Sequence, residues 1–283
     1  MHTEHHIRNV QRLVNDWKRQ GHSVGFVPTM GNLHAGHLAL VKRAAQLADK
    51  VVVSIFVNPI QFAPSEDFDS YPRTQEQDAM ALAEAGVDLL FAPSVSEMYP
   101  AGVEQQTRVC VGHIGDILEG ASRPGFFTGV ATVVNKLFHI VPADLAVFGA
   151  KDYQQLQVIR RMVDDLSMNI DIIDAPIVRE TDGLAMSSRN GYLGQAERQA
   201  APQLYRLLCE ARERILAGDT DFRAIENAMT DKLNDCGYRT DYVSIRRTVS
   251  LEPAQAGDTS LVVLVAAWLG NTRLIDNIAV EIQ

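Results

Sequence analysis

Short apolar runs alternate with helical patterns through the first 175 or so residues, and this alternation limits the fold more than any other feature. Residues 51–57, VVVSIFV, are rich in β-branched side chains and apolar at successive positions, so a strand there must be covered on both faces. Residues 24–27, 88–92, 145–148 and 170–173 read as further strands. Between them, residues 38–48 place Leu38, Val41, Ala44, Ala45 and Ala48 on one helical face. Residues 75–85 read as a helix closed by Gly86, and residues 128–141 and 153–166 are also helical in pattern.

Alternation at this spacing predicts βαβ units, hence an α/β fold with a Rossmann-like parallel sheet and helices on both faces. The pattern changes after APIVRETDGLAMSSRNGYL. Helices are expected over 195–217 and 222–236, followed by strands over 242–246, 261–267 and 273–279. Helices followed by strands predict a smaller α+β domain. The expected division is 1–175 and 176–283, at Ala175–Pro176, where proline interrupts the chain.

A formal charge of −9 argues against a nucleic-acid or anionic-membrane surface, which would need a basic excess. It leaves room for a local pocket that takes one small anion. The cysteines, Cys110, Cys209 and Cys236, are far apart and odd in number, so neither a zinc site nor a disulfide framework is expected. The amino terminus has no apolar signal core, and the longest apolar run, 261–269, is too short to span a bilayer. A cytoplasmic protein is expected. His2, His5 and His6 read as a solvated, mobile terminus rather than a metal site.

The stretch VGFVPTMGNLHAGHLALVKRA, residues 24–44, carries the first chemical signal. A strand feeding a glycine turn into a helix aims backbone N–H groups and the positive end of the helix dipole at one point. Gly31 and Gly36 have the spacing of a Walker A loop, yet His37 and Leu38 stand where its lysine and hydroxyl residue belong. No GxGxxG occurs. His34 and His37, three residues apart, would share a face of the first helical turn and could donate hydrogen bonds to an anion. The alternatives are a metal pair, for which no third ligand stands nearby, or unrelated surface histidines.

HAGH resembles the His-x-Gly-His signature of the nucleotidylyltransferase superfamily. Together with PTMGNLHAGH (28–37), FVNPIQF (56–62), EDFDSYPRT (66–74), FGAKDYQQL (148–156), MSSRNGYL (186–193) and VAAWLGNTRLIDN (265–277), it closely resembles the pantothenate synthetase, or pantoate–β-alanine ligase, family. The resemblance runs through the whole chain. It implies an ATP-dependent ligase that joins D-pantoate to β-alanine through a pantoyl-adenylate, releasing pyrophosphate and AMP, in a cytoplasmic homodimer.

The resemblance also implies residue roles. His34 and His37 would hold phosphate oxygens at the reacting phosphorus, with His37 meeting developing charge. Met30, Gly31, Asn32, Leu33, Ala35 and Gly36 would line the ATP site, and so would Gly149 and Ala150 at the end of a strand. Lys151 would reach the phosphates and Asp152 the ribose. Ser187, Ser188 and Arg189 would donate to the β- and γ-phosphates, and Val178 and Met186 would flank the adenine. Gln61 and Gln155 would bind pantoate. Gln61, Asn58 and Tyr71 would lie near β-alanine. Catalysis would fall to His37, His34, Lys151 and Arg189. Mg²⁺ would be held mainly by substrate phosphates and water, with Asp78 and Glu76 able to assist and no protein ligand assigned.

The chain departs from the family pattern at two positions. Ala150 stands where a polar residue is usual, and Phe126 where RPGFF replaces a histidine, which shifts any phosphate contact there to Arg123. Another nucleotidylyltransferase would share HAGH without needing the glutamines. A non-catalytic nucleotide-binding module would lose His34, His37, Lys151, Ser187, Ser188 and Arg189, all of which are present.

Overall fold

A computed structural model describes every residue except Pro64, Ser65, Asp67 and Gln283, so Asp67 of the EDFDSYPRT motif lies outside the described residues. The chain divides into two units, Met1–Ala150 with Gln154–Pro176, and Lys151–Tyr153 with Ile177–Gln283. The grouping of Lys151 to Tyr153 with the later residues is not foreshadowed by any change in composition.

The first unit opens with β1 (His2–Glu4), α1 (Ile7–Arg19), β2 (Val24–Thr29), α2 (Ala35–Leu47) and β3 (Lys50–Ile55). It continues with α3 (Gln75–Glu84), β4 (Leu89–Phe91) and the short helices α4 (Val95–Met98) and α5 (Glu119–Ser122). Then come α6 (Phe126–Ile140), β5 (Leu145–Gly149), α7 (Tyr153–Asp165) and β6 (Asp171–Ala175); the first residue of α7 belongs to the other unit. The strands form one parallel sheet in the order β1-β4-β3-β2-β5-β6. Val51, Val52 and Val53 are buried, as a strand covered on both faces requires. From β2 the order runs outward both ways, to β3 and β4 on one side and to β5 and β6 on the other. The crevice outside the carboxyl ends of β2 and β5 is therefore the topological switch point, where open α/β sheets bind ligands.

The amino terminus corrects the expectation of a mobile tail. Strand β1 pairs in parallel with β4, His2 opposite Leu89, and α1 buries Val10 and Val14. The Glu97 side chain accepts from the Ile7 N–H at 2.8 Å, and this bond holds the Glu97 carboxyl below its ordinary value. His2, His5 and His6 meet Glu4, the Ala92 carbonyl and Glu97 respectively, so they are not gathered on one centre. Strand β1 is polar because it lies at the sheet edge and is held by backbone bonds, which leave no trace in side-chain pattern.

The second unit contains α8 (Gln195–Ala200), α9 (Gln203–Leu216), α10 (Phe222–Asp235) and an antiparallel sheet of β7 (Tyr238–Arg247), β8 (Ser260–Leu269) and β9 (Thr272–Glu281). Leu204, Leu208, Ile225, Leu233, Leu261 and Val263 belong to its core cluster. The single helix expected over 195–217 is broken. Pro202 has no N–H to continue a helix and instead caps α9, and the Tyr238 hydroxyl takes the Ala201 carbonyl left over at 2.8 Å. Among the described residues no helix is long and apolar enough to cross a membrane.

Candidate active site

The loop after β2 is built by an aspartate that the sequence does not mark. Gly31 and Asn32 both have positive φ, 84° and 52°, and a Cβ on Gly31 would stand 3.0 Å from Ile55 and 3.1 Å from Asp78. Only glycine meets both demands. Asp78, 4% exposed on the first turn of α3, accepts from Asn32 N at 2.9 Å, Leu33 N at 2.8 Å and the Thr74 hydroxyl at 3.2 Å. The Gly31 N–H goes to Thr29 Oγ1. The Gly31, Asn32 and Leu33 amides are thus taken up within the protein. Asp78 is engaged as the clasp of this loop rather than offered to an ion. Glu76 is exposed.

What the loop presents instead is imidazole. His34 is the N-cap of α2 and His37 its third residue, and they form a reciprocal capping box. Gly36 N donates to His34 Nδ1 at 3.1 Å, and His34 N donates to His37 Nδ1 at 3.3 Å. An Nδ1 that accepts carries no proton, so each neutral ring is held as the Nε2–H tautomer. The rings lie side by side, centroids 4.1 Å apart. The capping box thus leaves the donor of each neutral ring on Nε2. Ala35 is exposed at the same turn, and Met30, Leu33 and Gly36 are half-buried.

A second group sits on the 3-10 turn Pro59–Gln61, after β3. Gln61 Nε2 contacts Met30 Sδ at 3.0 Å, and its Oε1 accepts from Asn58 Nδ2 at 3.1 Å. Asn58, 1% exposed, also donates to the Gly129 carbonyl and accepts from the Tyr99 hydroxyl at 2.8 Å. Burial pushes the Tyr99 hydroxyl well above its ordinary pKa, so it remains a donor. Asn58 thus supports Gln61 from below, and it could contact a ligand only by exchanging one of these partners. Tyr71, 6% exposed, packs edge-on against Phe62.

At the end of β5, Gly149 and Ala150 border the switch point, and the Ala150 N–H is fixed to the Ala175 carbonyl. Of the paired glutamines that follow, Gln154 is buried and holds Glu119 N, Ile114 O and Ile117 O at 2.7–3.0 Å, whereas Gln155 is half-buried. The two amides are separated by role: one braces the segment before α5, and the other is the candidate ligand. Arg123 forks onto Glu66 at 2.6 and 2.8 Å and lies 3.7 Å from the Phe126 ring centroid. Arg123, to which the phosphate contact was expected to pass, is held in an ion pair backed by an aromatic face.

The cationic candidates stand in the second unit. Lys151 is half-buried and Asp152 exposed. Met186 N donates to the Val178 carbonyl at 3.0 Å, which sets these residues across from each other. Ser187 caps the 3-10 turn Ser188–Tyr192, its Oγ accepting from Arg189 N at 3.2 Å. Arg179 forks onto Asp276 at 2.6 and 3.0 Å. Burial pushes the Asp276 carboxyl up, against the opposing pull of Arg179 and, more weakly, Lys151. Among the described residues no cluster of His, Cys, Asp or Glu is arranged to hold a metal ion.

A family model of pantoate-beta-alanine ligase matches residues 2–279. The chain belongs to the pantoate–β-alanine ligase family. Named pantothenate synthetases from Alcanivorax borkumensis and Pseudomonas aeruginosa are 55% and 54% identical to it; the matches span all of this chain and 99% and 100% of theirs. The crystal structure of pantothenate synthetase from Thermus thermophilus is 46% identical with a TM-score of 0.92, over 98% of this chain and 99% of that one. The pantoate–β-alanine ligase of Francisella tularensis, solved with beta-gamma ATP and beta-alanine, is 36% identical with a TM-score of 0.83, covering 98% of this chain and 97% of that one.

One further contact in this family member sets Gln61. A Cβ on Gly129 of α6 would lie 2.7–2.8 Å from the Ile60 carbonyl and the Gln61 backbone, so α6 and the Gln61 turn meet main chain to main chain. A glycine inside an apolar helical pattern was the available signal. Alanine there gains about 1 kcal/mol in helix propensity, but crowding of rigid backbone costs about 1–3 kcal/mol. Crowding should win. Gly129→Ala should therefore lower the thermal midpoint by about 2–4 °C per kcal/mol lost. An unchanged or raised midpoint would show that the turn yields freely.

Proposed function

We propose that the chain ligates D-pantoate to β-alanine by way of a pantoyl-adenylate, with the two capping histidines at the reacting phosphorus. The protein is an AMP-forming, ATP-dependent pantoate–β-alanine ligase. In the first half-reaction a pantoate carboxylate oxygen attacks the α-phosphorus in line, and the bond to pyrophosphate breaks. In the second, the β-alanine amine attacks the acyl carbon, and the carbon–oxygen bond breaks to release AMP. The observation that carries this reading is the imidazole pair, two Nε2–H donors held side by side at the carboxyl end of β2. Such a transfer needs alignment and donors where charge accumulates, more than covalent help.

The remaining roles follow from chemistry and placement. His34 and His37 donate to α-phosphate oxygens, and Met30, Gly31, Asn32, Leu33, Ala35, Gly36, Gly149 and Ala150 border the nucleotide. Lys151, Ser187, Ser188 and Arg189 grip the phosphates, Asp152 meets the ribose, and Val178 and Met186 flank the adenine. Gln61 and Gln155 orient pantoate, the first supported by Asn58, and Tyr71 and Asn58 border the β-alanine position. A neutral amide can serve both hydroxyl and carboxylate without trapping the substrate electrostatically. Mg²⁺ travels on the ATP phosphates, since Asp78, the buried acid of the loop, already serves three donors. A cytoplasmic location accords with the three free cysteines. A homodimer accords with the family and with Met80 of α3, which is 67% exposed.

Carboxyl-labelled pantoate tests this directly. The protein, ATP, Mg²⁺ and pantoate bearing ¹⁸O in its carboxylate should release pyrophosphate, and β-alanine should then release AMP carrying one labelled oxygen. AMP without label would exclude the adenylate route. No AMP under complete conditions would exclude the ligase. Pyrophosphate release with no response to β-alanine would indicate another nucleotidylyl transfer.

A further inference from the structure

Lys151 is held from the second unit's own sheet. Asn277 of β9 donates from Nδ2 to the Lys151 carbonyl at 2.9 Å, and the Tyr153 hydroxyl donates to the Thr248 carbonyl at 3.0 Å. Both bonds lie inside the unit that groups Lys151–Tyr153 with the later residues. Behind Asn277, which is 5% exposed, its own N–H donates to Asp276 Oδ1 at 2.8 Å. Asp276 is 3% exposed and takes both arms of the Arg179 guanidinium. Arg179 lies flat on Tyr205, 3.6 Å from the ring centroid, and donates to the Gly183 carbonyl at 3.1 Å. Its backbone is bridged to Ala185, directly before the MSSRN run.

One buried ion pair thus has contacts leading to both cationic segments. Toward one side the line runs from Asp276 through Asn277 to the Lys151 backbone. Toward the other it runs from Arg179 to Gly183 and Ala185, and so into Ser187–Arg189. A buried ion pair is poor value as stability alone, because desolvation offsets most of the attraction. A two-armed guanidinium–carboxylate contact has one geometry, however, and fixes whatever is attached to it.

We infer that Asn277, with Asp276 and Arg179 behind it, is a positioning residue that fixes Lys151 in register with the Ser187–Arg189 loop as one preset phosphate grip. This rests on the assignment of Lys151 and that loop to the ATP phosphates. The bond from Asn277 goes to the backbone carbonyl of the lysine, so it acts on where the ammonium sits. Arg179→Lys keeps the charge and loses the fork, so it should share the defect.

The test separates the half-reactions. Asn277→Ala should slow pantoate-dependent pyrophosphate release by about 10–100-fold, the cost of misplacing a phosphate ligand by a fraction of an ångström to an ångström. Aminolysis of supplied pantoyl-adenylate by β-alanine, which needs no phosphate grip beyond AMP, should stay within about twofold of wild type on the same estimate. Combining Asn277→Ala with Lys151→Ala should add little to Lys151→Ala alone, because both remove the same interaction. A parallel fall in both half-reactions, full additivity, or unchanged pyrophosphate release would each overturn the inference. Asp276→Asn provides the same comparison further back along the line, and Asn277→Ala, which removes a single side-chain bond to Lys151, keeps the test open if Asp276→Asn does not fold. Wild-type protein that released no pyrophosphate would instead overturn the assigned function.

Discussion

Replacing His37 with alanine should lower pantoate-dependent pyrophosphate release by roughly 10³-fold or more while leaving the protein folded, because a donor to developing charge is lost in a preorganised site. The fold is expected to survive because the ring's structural bond is weak: His34 N reaches His37 Nδ1 only at 3.3 Å. Losing such a cap costs about 1 kcal/mol, which a thermal scan should register as a shift of a few degrees. His37→Gln sharpens the result. Glutamine completes a capping box at this position and offers an amide donor, but it cannot be protonated. Substantial recovery with glutamine would assign His37 a hydrogen-bonding role, and none would assign it a proton or charge. Near-normal turnover in His37→Ala would remove the histidine from the chemistry altogether.

Asp78→Ala should have the second largest effect, and on both stability and turnover. It strips the acceptors from Asn32 N and Leu33 N, both in a loop whose two positive-φ residues leave it little room to relax. Each stranded amide costs about 1–3 kcal/mol, so a loss of about 2–6 kcal/mol in chemical denaturation is expected. Because the loop leads directly into His34, kcat should fall along with stability, and the loss of stability should exceed that of His37→Ala. Asp78→Asn restores one acceptor but turns an NH₂ toward a backbone donor, so rescue should be partial. A variant as stable and as active as wild type would show that the loop holds its shape without the clasp.

The parallel sheet was legible because buried strands such as 51–57 write their environment into side-chain type. Strand β1 was not, since an edge strand joined by backbone alone carries no apolar pattern. The break at Pro202 was available in the sequence as a proline within a helical run, although the amphipathic pattern continued across it. At the candidate site the histidines were legible as a motif, but their reciprocal cap was not, nor the tautomer it selects. Asp78 and Asn277 left no local sign of their tasks. The first meets its loop from 45 and 46 residues away, and the second reaches Lys151 across 126. Contacts of that range depend on how finished elements dock, which periodicity does not encode. Gln154 and Gln155 make the same point at close quarters: identical neighbours on one helix, with one enclosed by the Ile114–Glu119 segment and the other left partly open.

The fastening of Lys151–Tyr153 to β9 and its neighbours bears on how this protein can be dissected. The polypeptide passes from one unit to the other at 150/151, returns at 153/154 and passes again at 176/177. A gene fragment begun at residue 177 would encode the antiparallel sheet and the MSSRN loop, but it would leave the lysine behind. A fragment ended at 176 would carry that lysine without the asparagine that holds it. No single cut separates two self-sufficient modules. Recombining halves from two relatives at the apparent boundary would therefore pair a lysine from one parent with a bracket from the other.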